Sequence, residues 1–154
     1  MQKLLAISLV PLVLTLGSCR MVPQGSSETA PVGPPVLAPG EEAAALSGPV
    51  VFRSHVAPIL ENRCLPCHDG HAMPGRYDLT RRTTAFAAGP AGPRIVPGKP
   101  EKSLIFLNPG GTHQNIQVMP PVGNRLTQEE LCILRRWITQ GAAWPAGQAG
   151  VLTR

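Results

Sequence analysis

The stretch Cys64-Leu65-Pro66-Cys67-His68 sets two thiols three residues apart and an imidazole directly after them. On a tight turn, two thiols at this spacing reach two neighbouring points of one flat macrocycle. The next residue then presents its ring to the centre of that macrocycle from the same face. C-x-x-C-H is the attachment signature of c-type haem, with both cysteines forming thioethers to the vinyl groups and the histidine ligating iron. Three rival readings fit less well. A thioredoxin-like redox pair belongs in a β-α-β context, and no strand run precedes the motif. A zinc site wants a second pair of ligands, which Cys132 alone does not supply. A structural disulfide is feasible in an exported chain but has no use for His68.

Haem iron with one histidine needs a ligand on its other face. The candidates are Met73, Met119, His55, His71 and His113. His71 and Met73 follow His68 too closely: at about 3.3–3.6 Å per residue the chain cannot easily round a porphyrin edge and return to the iron. Met119 lies 51 residues beyond His68, in Val118-Met119-Pro120-Pro121. The two prolines stiffen that loop and remove backbone donors, so a sulfur can be held in place there. Met119 is therefore the expected sixth ligand. His113, in the same loop, is the runner-up, and His55 reads as a surface or capping histidine.

Outward from these residues the pattern is helical. Thr127 and Glu130 have capping-box spacing, and Leu126 and Leu131 have hydrophobic-staple spacing. A helix over 128–140 is predicted, ending at Gly141. Leu131, Leu134 and Ile138 share one face, widened by Ile133 and Trp137, which predicts contact with another helix and with haem at once. Cys132 in this helix reads as a small buried hydrophobe. Phe52, Val56, Ile59 and Leu60 predict a short helix leading into the cysteine turn, beginning or bending at Pro58. Thr80 has the position of a cap for a short helix ending at Gly89, and 100–107 predicts another with Pro100 first. No alternating strand pattern is found. The fold class is all-α, with long ordered loops.

Eighteen prolines and 16 glycines among 154 residues are too many for one continuous packed core. Residues 4–17, LLAISLVPLVLTLG, follow Lys3 and form an apolar run too short to span a bilayer but suited to a signal-peptide core. It ends in Leu16-Gly17-Ser18-Cys19, similar to a bacterial lipobox, so Cys19 is the expected lipidation site. Arg20 stands where an Asp would favour inner-membrane retention, which points towards the outer membrane. Residues 19–49 carry six prolines, four glycines and no aromatic residue, and predict a disordered tether. From residue 50 onward there are 12 Lys or Arg against 6 Asp or Glu. That basic balance suits acidic partners or plain solubility. Without a Lys/Arg run or interleaved aromatics it does not suggest nucleic acid.

Several further strings occur in order: His55-Val56-Ala57-Pro58-Ile59-Leu60, Val96-Pro97-Gly98-Lys99-Pro100-Glu101-Lys102-Ser103-Leu104, Met119-Pro120-Pro121, and Trp137-Ile138-Thr139-Gln140-Gly141-Ala142-Ala143-Trp144. Together with C-x-x-C-H they resemble a class I cytochrome c, and in detail the planctomycete-type cytochrome c domain. The resemblance covers roughly 50–144. It implies a cytochrome c-like mono-haem domain, one covalent haem c with its iron, attachment at Cys64 and Cys67, and ligation by His68 and Met119. The expected organisation is a lipoprotein signal peptide at 1–18, a tether at 19–49, the domain at 50–144 and a flexible tail at 145–154. The expected function is lipid-anchored single-electron transfer, without catalysis, between redox partner proteins on the periplasmic side of a membrane. The alternative is a haem-based ligand-binding or peroxidatic module with a labile sixth ligand.

Overall fold

A computed structural model describes residues 31–71, 77–111 and 118–154. Among them there is no strand, only two isolated β-bridges, and the architecture is the expected all-α, cytochrome c-like one. Six helices are present: α1 Pro39–Ser47, α2 Ala57–Arg63, α3 Leu65–His68, α4 Arg82–Ala85, α5 Leu104–Gly110 and α6 Gln128–Thr139. No helix among the described residues is long and apolar enough to cross a membrane.

α6 forms as its sequence predicts. The Thr127 hydroxyl accepts the Glu130 N–H at 3.1 Å, and the Glu130 carboxylate accepts the Thr127 N–H at 3.0 Å. This reciprocal pair satisfies two donors that a helix start leaves orphaned. Gly141, at φ 102°, ends the helix in a conformation that costs glycine nothing. The buried face of α6 packs on α1, on α5 and on the turn ahead of α2.

The helix before the cysteine turn is bent at Pro58, and the bend has a specific form. Phe52–Val56 is a π-helical turn running straight into α2. Ala57 N–H bonds back to the Phe52 carbonyl, five residues earlier. Proline has no N–H to continue the ladder, so the register shifts ahead of it. α3 is then a single turn, closed by His68 N–H on the Cys64 carbonyl at 2.9 Å. Two local expectations are corrected. Thr80 does not cap a helix: its N–H and hydroxyl both donate to Asp78 Oδ1 at 2.7 Å, and α4 starts later and ends at Ala85. The segment after Pro100 is a 3-10 turn, Pro100–Lys102, interrupted at Ser103 before α5 begins. The buried Ser103 hydroxyl takes the Val96 N–H at 2.9 Å, which breaks the two apart.

The boundaries 50 and 144 are also corrected. Residues 31–49 do not form a tether. α1 packs on α6, Leu37 and Ala45 join the core, and the Arg136 guanidinium donates to the Ala45 and Gly48 carbonyls at 3.1 and 2.9 Å. At the other end, the predicted flexible tail at 145–154 is anchored to the domain through Gly150 and Leu152. Leu152 is 1% exposed and its N–H donates to the Thr80 carbonyl at 2.9 Å. Trp144 Nε1–H donates to the Gly150 carbonyl at 2.7 Å. Trp144 also stacks on Phe52, with ring centroids 4.4 Å apart and Trp137 beside them. Phe52, Trp137 and Trp144 therefore form the back of the core. Residues 1–18, the first part of the predicted tether, and Cys19 lie outside the described residues.

Candidate functional site

Cys64 and Cys67 sit at the two ends of the α3 turn, and both thiols are free. They open into a cavity of about 380 Å³, which His68 and Met119 also line. The sequence separates these residues by up to 55 positions; the fold brings all four to one space. The rest of the wall is largely apolar, with Leu79, Leu104, Ile105, Pro109 and Leu126. No α6 residue lines it, so the predicted contact of that broad face with haem is corrected: the face is used on other helices.

His68 is fixed in one tautomer. Its Nδ1 lies 3.0 Å from the Tyr77 carbonyl, which can only accept, so Nδ1 carries the proton and Nε2 keeps its lone pair. Burial lowers the pKa of His68, partly offset by this hydrogen bond, so the ring is neutral and ligand-competent at neutral pH. A carbonyl on the far nitrogen is the usual way a metal-binding histidine is aimed. Burial, with the nearby Glu130 charge adding to it, pushes the Cys64 thiol up to about 12. Such a thiol is not the low-pKa nucleophile of a redox pair. Nor do the described residues group three His, Cys, Asp or Glu side chains around one metal position.

Met119 is half-buried, and its N–H donates to the Asn108 carbonyl at 3.2 Å, tying its loop to α5. The peptide between Met119 and Pro120 is cis. The other candidate ligands fare differently. His55 is 7% exposed and accepts the Val51 N–H at Nδ1, 2.9 Å away; it caps the π-helical turn and does not line the cavity. His71 is exposed and also outside the cavity wall. Met73 and His113 lie outside the described residues.

The family comparison agrees with this arrangement. Residues 64–123 match the family described as Planctomycete cytochrome C. This stretch is similar to a planctomycete-type cytochrome c domain. No curated protein and no solved structure gives a match. Domains of this family bind haem c, with its iron, through covalent links and transfer electrons. The matched stretch starts at Cys64 and stops short of α6, so α1, α2 and α6 lie beyond it.

The residues present fit that cofactor. Two thiols and an imidazole lie on one wall, a thioether sulfur lines the same cavity, and the remaining surface is apolar. Two buried polar atoms of the lining residues, Tyr77 Oη and Asn108 Oδ1, have no hydrogen-bond partner. Buried polar atoms are costly unless something satisfies them, and a cofactor with polar edges would. Arg94 brings a guanidinium to the same wall, 4.5 Å above the Tyr77 ring, where anionic edge groups are favoured. Sequence reading missed Tyr77, Asn108 and Arg94. None belongs to a motif, and only the fold gathers them.

One cysteine departs from expectation. Cys132 is buried, as predicted, but it is disulfide-bonded rather than a free small hydrophobe.

Proposed function

We propose that the chain is a mono-haem electron carrier, with haem joined to Cys64 and Cys67 and its iron between His68 and Met119. The supporting observation is that these four side chains line one apolar cavity, with His68 Nε2 left as the free ring nitrogen. Haem c, when bound, supplies a one-electron iron couple. The chain's own residues do the rest. Cys64 and Cys67 anchor the cofactor. The Tyr77 carbonyl orients His68. Met119 offers a thioether, which favours the reduced metal. Leu79, Leu104, Ile105 and Leu126 keep water from the site.

Absorption of the oxidised protein tests this reading. A weak red sulfur-to-iron charge-transfer band is expected, lost in Met119→Ala together with a fall in reduction potential. A high-spin wild type that binds carbon monoxide readily once reduced would instead favour a ligand-binding or peroxidatic module.

The proposal extends to place. Lipid on Cys19 would hold the domain at a membrane, facing the periplasm, with the outer membrane favoured by Arg20. There it would meet a donor and an acceptor protein, whose acidic faces would suit the basic balance beyond residue 50. A diacylglycerol-bearing Cys19 peptide, and a wild type that fractionates with membranes while Cys19→Ala does not, are the expected results. A cystine joining Cys19 to Cys132 in a non-reduced digest overturns the anchor.

A further inference from the structure

Residues 31–37 have no helix and a single β-bridge, yet they are held on both sides. On one side lies the loop 118–126, which carries Met119. Val32 bridges Arg125 in parallel, the Gly33 N–H donates to the Arg125 carbonyl at 3.0 Å, and the Arg125 N–H donates to the Pro31 carbonyl at 2.8 Å. On the other side lies the end of α2. The Arg63 guanidinium donates to the Pro34 carbonyl, and the Val36 N–H donates to Glu130 Oε1 at 3.0 Å. Arg63 immediately precedes Cys64 and lines the cavity.

Arg63 and Glu130 form the joint between these parts. Arg63 Nε donates to Glu130 Oε2 at 3.0 Å and Nη2 donates to Oε1 at 2.9 Å, a bidentate pair whose side chains are 5% and 1% exposed. The carboxylate also accepts the Val36 and Thr127 N–H groups, one on each oxygen. A buried carboxylate with four donors and a forked guanidinium has one arrangement, so the pieces it joins are fixed relative to one another.

The loop 118–126 has little structure of its own. Pro120, Pro121 and Gly123 leave it without a helical or strand ladder, and it is tied near its ends: Met119 N–H to Asn108, and Arg125 to residues 31–33.

We propose that residues 31–37 are a strap that positions the Met119 loop against the haem cavity, pinned to the cysteine turn by the Arg63–Glu130 pair. Arg63 and Glu130 are thus positioning residues, acting on the sixth ligand through the strap. This rests on Met119 being that ligand. It also makes a stretch outside the matched domain part of the haem site.

Two variants of the full chain, made with haem attached, test the strap. Arg63→Met removes the pin. Gly33→Val pushes the strap away by another route, because a Cβ at Gly33 would run into the Arg63 guanidinium and the Asn124 Cβ. Neither replaces Cys64, Cys67, His68 or Met119. Covalent haem is expected to remain in both. Amide exchange in 118–126 is expected to quicken by roughly tenfold or more, as is carbon monoxide binding to the reduced protein, with the red charge-transfer band weakened. Arg63→Lys, which keeps the charge but not the fork, is expected to fall between these and wild type. Exchange and carbon monoxide binding at wild-type rates in both variants, whatever the drop in melting temperature, would overturn the strap and reduce it to packing. If wild type shows no sulfur–iron band, the Met119 reading fails separately, and exchange in 118–126 still decides whether the strap holds the loop.

Discussion

If haem is joined to Cys64 and Cys67 as proposed, replacing both, Cys64→Ala with Cys67→Ala, is expected to give a colourless chain that no longer melts as one cooperative unit. The cavity behind these residues is about 380 Å³. Cavities left by core truncation cost about 24 cal/mol per Å³, which scales to about 9 kcal/mol here as an upper figure. Relaxation and entering water would lower it. The total stability of a small domain is about 5–15 kcal/mol, so the cost of an unfilled site is comparable with everything else that holds the fold. The two halves of the domain are not expected to respond equally. The cluster of Phe52, Trp137, Trp144 and Leu152 lies away from the cavity wall and packs through aromatic contacts of its own. Around the cavity, Leu79, Ile105 and Leu126 lose their facing surface. Far-ultraviolet circular dichroism should retain part of the helical signal while the melt broadens. A colourless variant with a sharp melt at the wild-type temperature would show that the cavity supports itself, and the expectation would fail.

The parts legible in the sequence are those set by short-range chemistry. The cysteine turn was readable because covalent attachment demands fixed spacing. The start of α6 was readable because Thr127 and Glu130 satisfy each other over three residues. Met119 was placed by chain length and flanking prolines, and the fold does bring it to the cavity of His68. What stayed illegible depends on long-range partners. Residues 31–49 have a composition that argues against a core, and they pack through backbone carbonyls and amides offered to Arg63, Glu130, Arg125 and Arg136. None of those partners is visible from the segment itself. Leu152 was lost for a similar reason: one apolar side chain in a short tail has no periodicity to report. Tyr77 contributes its backbone carbonyl to His68, and a carbonyl leaves no trace in residue identity. Glu130 was read correctly as a cap, but its pairing with Arg63, 67 positions earlier, could not be.

That pairing makes Glu130→Ala the polar substitution expected to cost most. The change removes half of the capping box, worth about 1 kcal/mol. It also strands the Arg63 guanidinium, 5% exposed, without its carboxylate. Breaking one partner of a buried pair typically costs 3–5 kcal/mol, because the remaining charge stays buried. The two losses overlap, so about 3–5 kcal/mol in total is expected from urea unfolding of the haem-bearing protein, with little change in the denaturant slope. Glu130→Gln separates the components: it can still accept at the helix start but carries no charge. Arg63→Met with Glu130→Leu tests the reverse. Removing both charges abolishes the stranded guanidinium, and the double variant should be more stable than Glu130→Ala alone. The cycle of single and double variants then reports the coupling between the two residues. A cost below about 1 kcal/mol for Glu130→Ala would mean that Arg63 finds water or another acceptor when the carboxylate is gone. The joint between strap, cysteine turn and α6 would then be softer than its geometry implies. A full cost, recovered in the double variant, would instead show that the pair contributes placement rather than net stability. That is the expected behaviour of a buried ion pair kept for where it holds the chain.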